Sequence, residues 1–465
     1  MKKKHLVIVG VIILSAIVIL GLYQTFALSS DITKDTSGYY NVTITDGTTI
    51  TVPAGSTKTV YYKLTNTNKG IVKYGVGYSG TNITVKYYTD TIDPVTGTVD
   101  YGKSKYIKLS VENTGTTSST ATLSTILGYE NGGDLIVPSG VTLVTKMFTE
   151  PLATTLTNLY NNSTKTAVVN NGITYQYDTT NVLMKDVGNN IRYYGASPNN
   201  YIYFNCSNYS NQSSSTCETW RIIGVFDGKI KLIRNESIGE YSWDNKNVST
   251  GAENDYGKND WTDARLMKLL NPGYESKTTG GSLYYNAKSG NCYSGQSNAT
   301  KACNFTSTGI KNATTRNLIS DTIYYLGGHN SFSVYPNQIY EKERGTTVYS
   351  GRPTEWTGKI ALAYPSDYGY AADLGKCSQN LNNYNNSTCT SNNWMKAIVA
   401  PNYGWLLTPH SGIASNVWYV YSSGGVYYNS YVYNAYGVAP VLFLNSDANV
   451  KSGTGTSSDP YQISV

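Results

Sequence analysis

The sequence predicts a multidomain, exported chain: an N-terminal anchor helix, an all-β region and a C-terminal α+β domain. Three observations carry that prediction. An apolar run follows three lysines at the extreme N-terminus. Short segments that alternate apolar and polar residues, broken by Gly, Asn, Asp or Pro, occupy residues 33–147. Beyond them, β-like and helical patterns are interleaved with Ser/Asn/Thr-rich loops bracketed by cysteines.

The chain has 465 residues, too many for one ordinary domain. Charged residues make up only 14%, whereas Tyr occurs 44 times, so there is enough buriable surface to offset ordering entropy and disorder is disfavoured. The net charge of +6 is scattered, and no Lys/Arg run exists beyond the N-terminus. A nucleic-acid footprint is therefore missing.

Taking the elements in order, Lys2, Lys3 and Lys4 precede the apolar residues 6–22, with mixed residues to 28. As a helix, residues 6–28 would reach roughly 34 Å, enough to cross a hydrocarbon core of about 30 Å. A secretory signal also fits, with Thr25 and Ala27 before a cut. The length of the apolar run favours an uncleaved anchor over residues 1–29. The lysines then stay cytoplasmic and the rest lies outside the membrane.

Residues 33–147 read as a β-sandwich of immunoglobulin-like type, carrying the strands NVTITDG, TKTVYYKLTN, NITVKYYTD, KYIKLSVENTG and TATLSTILGYE. PAGSTKTVYYKLTN and KLSVENTG resemble the stalk-like sandwich modules of Gram-positive surface proteins. No cluster here suggests chemistry, so the expected role is a spacer. Residues 148–191 read as a linker with a short helix near 151–160, or as the source of the next domain's first strand.

The domain expected over 192–465 opens on the strands NYIYFN and ETWRIIGVFDGKIKLIRNESIG, with Asp227-Gly228 as a hairpin turn. NDWTDARLMKLLN reads as a helix capped by Asp260, with Trp261, Ala264, Met267 and Leu270 on one face. ATTRNLISDTIYYLGG reads as a second helix ending at Gly327-Gly328, and NNWMKAI as a short third. GVAPVLFLN reads as a buried strand. The six cysteines fall into three short-range pairs, Cys206 with Cys217, Cys292 with Cys303 and Cys377 with Cys389. Local disulfides in an oxidising compartment are the expected chemistry, because neither CxxC-like spacing nor a nearby His supports a metal.

TWRIIGVFDG, NDWTDARLMKLLN, YYLGG, GWLLTPHSG, VWYVYSSGGV and GVAPVLFL, in that order, resemble the C-type-lectin-like domain of bacterial surface proteins. That fold is shared by the formylglycine-generating enzymes and by the variable receptor-binding proteins of diversity-generating retroelements. The resemblance spans roughly residues 202–465 and implies a ligand-binding head. Two positions depart from it: Leu407 and Ala439 stand where the family often has Arg.

Catalytic signatures are sparse. The three histidines, His5, His329 and His410, are not at metal-ligand spacing, and no HExxH, GxSxG or P-loop occurs. His410-Ser411 reads as a turn, not as a base–nucleophile pair. Calcium-dependent sugar binding in the resembled family uses EPN or QPD with WND. This chain has only EPL at 150–152 and NDW at 259–261. The family's enzymes need reactive C-terminal cysteines, and the last one here, Cys389, reads as the partner of Cys377. The expectation is a non-enzyme without metal or cofactor.

The strongest positive signal lies near the C-terminus. Residues 397–446 contain no Asp, Glu, Lys or Arg, whereas fifty residues at the chain's 14% would hold about seven. Residues 416–436 hold seven Tyr, three Asn and three Ser. Ser423-Gly424-Gly425 separates two β-like runs, giving a hairpin with Val417, Val426 and Val432 facing the core. The expected surface is Asn416, Trp418, Tyr419, Tyr421, Tyr427, Tyr428, Asn429, Tyr431, Tyr433 and Asn434. Exposed Tyr with Asn and Ser is the residue mixture of binding surfaces, since Tyr gives large amphipathic contact at low entropic cost. In the retroelement-diversified relatives, mutagenesis of Asn codons yields this mixture. The expected partner is an extracellular protein or glycan. Two rivals remain: a structural or pilus-like subunit, favoured by burial of the Tyr-rich segment, and an unusual enzyme, favoured by a free Cys377 or Cys389.

Overall fold

The computed structural model describes residues 48–66, 70–88, 91–129, 135–245, 257–275, 279–295 and 300–464. The expected anchor (1–29) and the expected strand NVTITDG lie outside the described residues. Among the described residues, no helix is long and apolar enough to cross a membrane. The chain divides into two compact units, Met1–Thr149 and Glu150–Val465.

The first unit is a β-sandwich. One sheet orders Thr48–Val52, Ser119–Tyr129, Val72–Ser79 and Thr96–Val99, with Thr142–Leu143 also on Val72–Ser79. The other orders Thr57–Thr65, Ser104–Asn113, Ile83–Tyr88 and Met147–Phe148. Alternation places Val60, Tyr62 and Leu64 of one strand, and Ile107, Leu109 and Val111 of its partner, in the shared core. Two buried asparagines at strand ends link the two sheets: Asn113 Nδ2 donates to Val52 O at 2.9 Å, and Asn66 Nδ2 to Val99 O at 2.8 Å. The strands expected at TKTVYYKLTN, NITVKYYTD, KYIKLSVENTG and TATLSTILGYE form. Val72–Ser79, rich in Gly and Tyr, was not among the expected strands and lies between one of them, Ser119–Tyr129, and Thr96–Val99.

In the second unit a nine-stranded sheet runs Thr166–Asn170, Ile173–Asp178, Leu183–Lys185, Ile191–Tyr193, Glu218–Phe226, Lys229–Arg234, Val441–Phe443 and Ile360–Ala361, with Tyr201–Phe204 also on Glu218–Phe226. Of the two readings of residues 148–191, the linker is corrected and the alternative holds, since this stretch supplies the first strands of the next unit. The helix Leu152–Asn162 buries Leu152, Leu156 and Tyr160 from one face, and residues 166–185 supply three strands of the sheet. That stretch is polar because Thr166–Asn170 is the sheet's edge strand and alternate residues of Ile173–Asp178 face water. The GVAPVLFLN segment forms the buried strand Val441–Phe443, inserted against Lys229–Arg234 with Leu232 opposite Leu442.

Both longer helices are corrected. The first is only Arg265–Leu270, preceded by a turn in which Asp260 accepts from the Thr262 amide at 3.1 Å and hydroxyl at 2.6 Å. That side-chain turn competes with helix initiation. All six helical residues are buried, so the segment has no polar face to carry it further. The second helix covers Ala313–Leu318, capped by Asn312, and then yields to the strand Thr322–Tyr325. β-Branched and aromatic residues there favour a strand. The short third helix is Lys396–Val399. All three expected disulfides form and no cysteine is free.

Candidate aromatic recognition surface

The site stands on a second sheet of this unit, ordered Glu240–Ser242, Ala435–Gly437, Gly404–Pro409, Asn416–Val420 and Val426–Tyr431. The expected hairpin forms, with Val420 opposite Val426 and Tyr419 opposite Tyr427. Gly424 takes φ +102°, and its carbonyl accepts from the Tyr368 hydroxyl at 2.9 Å, seating the turn on the unit's core. Val417, Val426 and Val432 are fully buried, as the alternation implied.

The ten expected surface residues divide. Tyr421, Asn429 and Tyr431 are exposed, and Tyr427, Tyr428, Tyr433 and Asn434 are half-buried. Asn416, Trp418 and Tyr419 are buried, which corrects their expected exposure. The reason is twofold. Their strand lies between two neighbours, and an irregularity between Val417 and Tyr419 breaks the strict alternation of sides. Trp418 Nε1 donates to His329 O at 3.3 Å.

Residues distant in sequence complete an aromatic layer. Tyr403 stacks on Tyr436 at 4.9 Å, and Trp405 lies 4.4 Å from Tyr436. Tyr421 meets Tyr403 edge-on at 4.8 Å, and Tyr419 is 5.4 Å from Tyr436 and 6.2 Å from Tyr427. Trp405 and Tyr419 are the buried floor, while Tyr403, Tyr421, Tyr427 and Tyr436 are accessible. Sequence reasoning missed Tyr403, Trp405 and Tyr436. Tyr436 lay in the Tyr-rich count, but only the Ala435–Gly437 strand's return beside Gly404–Pro409 brings these rings together.

Hydrogen bonds set the layer. Trp405 Nε1 donates to Tyr241 O at 2.8 Å, and the Tyr419 hydroxyl to Asn429 Oδ1 at 3.1 Å. Burial, then Tyr436, raises the Tyr419 phenol, and a hydrogen bond with Tyr421 raises that of Tyr403. These phenols therefore stay neutral at physiological pH. At the sheet's edge, Glu240 accepts from Asn402 at 3.3 Å. The layer thus offers π faces and hydroxyls and no net charge of its own.

A second aromatic group lies nearby. Tyr428 stacks on Phe332 at 3.9 Å and approaches His410 at 4.5 Å. Burial, then His329, lowers the His410 imidazole to about 4, and its Nδ1 accepts from the Gly412 amide at 2.8 Å. His410 is neutral and forms a parallel β-bridge with His329, where a turn was expected, and its Nδ1 lone pair is used by that amide. Among the described residues, no three His, Cys, Asp or Glu side chains are grouped to hold a metal. Cys377 and Cys389 are bonded to each other and fully buried. The chain matches no known protein family, no curated protein and no solved structure.

Proposed function

We propose that this protein is a cell-surface or secreted recognition protein. An N-terminal anchor and a β-sandwich spacer carry a C-type-lectin-like head, and an uncharged aromatic layer on that head binds an extracellular protein or glycan. The reading rests above all on one observation: four accessible tyrosines, Tyr403, Tyr421, Tyr427 and Tyr436, sit over a buried Trp405–Tyr419 floor within a stretch that has no formal charge. Tyr421 is exposed and the other three are half-buried, so the grouped rings keep part of their surface open to a ligand. The floor fixes the rings before binding, so little conformational entropy remains to be lost. Neutral hydroxyls and π faces suit sugar rings or an uncharged protein patch. The disulfides support an oxidising compartment.

The full chain, with and without Tyr403→Ala and Tyr421→Ala together, is screened on arrays of neutral and acidic glycans and of extracellular proteins. Capture by the native chain that the double variant loses, with melting unchanged, supports the reading. Undiminished capture by the variant sinks it. A structural surface subunit is the second reading, favoured by the burial of Asn416, Trp418 and Tyr419. It is the outcome if the same double variant instead lowers the melting temperature.

A further inference from the structure

A cleft of about 530 Å³ opens elsewhere on the second unit and shares no residue with the aromatic layer. Its walls come from the Lys229–Arg234 strand, the Thr322–Tyr325 strand and the end of the helix Pro336–Glu343. The volume falls within the range of small-molecule sites, roughly 300–1,000 Å³. The lining is aromatic: Phe226, Tyr324, Tyr364 and Phe443 are all buried and all face the cleft.

Its polar groups differ in how far they are already engaged. Lys231 is spent, because its ammonium lies 2.5 Å from Asp367, which also binds Arg192 at 2.8 Å. The Arg344 guanidinium lies over Tyr340, 3.5 Å from the ring centroid. It uses Nη1 for the Tyr340 carbonyl at 3.2 Å and for Glu343 at 3.3 Å. Its Nε and Nη2 make no hydrogen bond among the described residues. Lys229 makes one, to Ser320 Oγ at 2.8 Å, and no ion pair among the described residues. The buried Thr322 hydroxyl has no hydrogen-bond partner among the described residues. Of the two carboxylates at the rim, Asp321 is held by Lys359 at 3.1 Å, and Asp227 is exposed in its turn. The cleft therefore presents cationic donors with unused N–H groups above an aromatic floor.

We propose that this cleft binds a small organic anion with a flat apolar body. Lys229 and Arg344 take its carboxylate, and the rings of Phe226, Tyr324, Tyr364 and Phe443 take its body. A guanidinium pre-set by stacking loses little freedom when it pairs with a carboxylate. A carboxylate meets these cations with two charged acceptor oxygens, whereas a neutral amide of the same shape offers one uncharged carbonyl, so the amide binds less well.

The test uses the full chain with indole-3-acetate and its uncharged analogue indole-3-acetamide, by saturation-transfer NMR and calorimetry. The acid is expected to saturate below about 1 mM and the amide to bind at least about tenfold more weakly. Lys229→Gln, a half-exposed change with little consequence for folding, is expected to weaken the acid about tenfold and leave the amide unchanged. Arg344→Gln is expected to do the same, with tryptophan fluorescence checking its fold. Tyr403→Ala with Tyr421→Ala is expected to have no effect, which separates this site from the aromatic layer. No saturation by about 10 mM, equal binding of acid and amide, or indifference to Lys229→Gln would each overturn the proposal.

Discussion

Tyr403 and Tyr436, thirty-three positions apart, stack with ring centroids 4.9 Å apart and planes 17° from parallel. The pairing exists because Gly404 and Gly437 lie side by side in parallel register, with the Gly437 amide donating to the Tyr403 carbonyl at 2.8 Å. Glycine is required at 404, where a Cβ would fall 1.6 Å from the Val399 carbonyl oxygen. A backbone constraint thus fixes the position of two rings on the proposed binding surface.

The first prediction separates surface from core within one hairpin. Tyr421→Ala is expected to change stability by less than about 1 kcal/mol, because its ring is exposed. Trp418→Ala, on a fully buried ring, is expected to cost about 3–5 kcal/mol. All seven tryptophans lie at position 220 or later, so denaturation followed by tryptophan fluorescence reports the second unit alone. Equal losses from the two changes would show that the Tyr421 side is covered.

The second concerns the disulfides. Non-reduced digests of exported protein are expected to link Cys206 to Cys217, Cys292 to Cys303 and Cys377 to Cys389 in mass spectra. Replacing the Cys377–Cys389 pair by Ser is expected to cost about 3 kcal/mol, as closing a loop of this length restricts the unfolded chain. Cross-links between the pairs would contradict the fold.

The buried charge cluster gives the third. Asp367 accepts from Arg192, Lys231 and the Tyr364 amide, and all three side chains are shielded from water. Burial opposes its ionisation, but Lys231 and Arg192 outweigh that and hold the carboxyl down at about 2. Asp367→Asn leaves the buried Lys231 without a carboxylate, while Arg192 keeps Asp186, and is expected to cost about 3–5 kcal/mol in fluorescence-monitored denaturation. A loss under about 1 kcal/mol would mean that Lys231 finds water or another partner.

Glu343 gives a pH dependence of opposite sign to that of a salt-bridged acid. Burial pushes its carboxyl up to about 7, against the pull of Arg344. Between the ordinary carboxylate range and about 7, the folded chain holds a proton that the unfolded chain has released. Stability from this group is therefore present at low pH and lost as pH rises towards 7. Asp244, raised by burial to about 7, acts in the same direction. Glu343→Gln is expected to flatten the decline between pH 5 and 7.5, by at most about 3 kcal/mol. An unchanged slope in the variant would place the proton elsewhere.

Local pattern was enough for much of the second unit. The Asp227-Gly228 turn, the hairpin at 416–431 and all three disulfides were legible because each joins residues close in sequence, and the Val441–Phe443 strand because its unbroken apolar run marks burial by itself. In the first unit, period-two alternation marked the principal strands of the sandwich for the same reason. The two expected helices were too long because apolar spacing alone does not weigh an Asp260 side-chain turn or the β-branched residues after Leu318.

What tertiary structure alone decided is which residues meet. Residues 166–185 read as polar linker because an edge strand buries only one side, and only pairing with the Ile191–Tyr193 strand reveals them as part of the sheet. The Tyr-rich hairpin advertised its composition. Which of its rings face water depended on both neighbouring strands and on the irregularity between Val417 and Tyr419. Tyr403, Trp405 and Tyr436 are joined by a long-range strand pairing, whose cost in chain entropy is met only by the folded core. Composition announced that an aromatic surface existed, and the sheet's strand order determined its members.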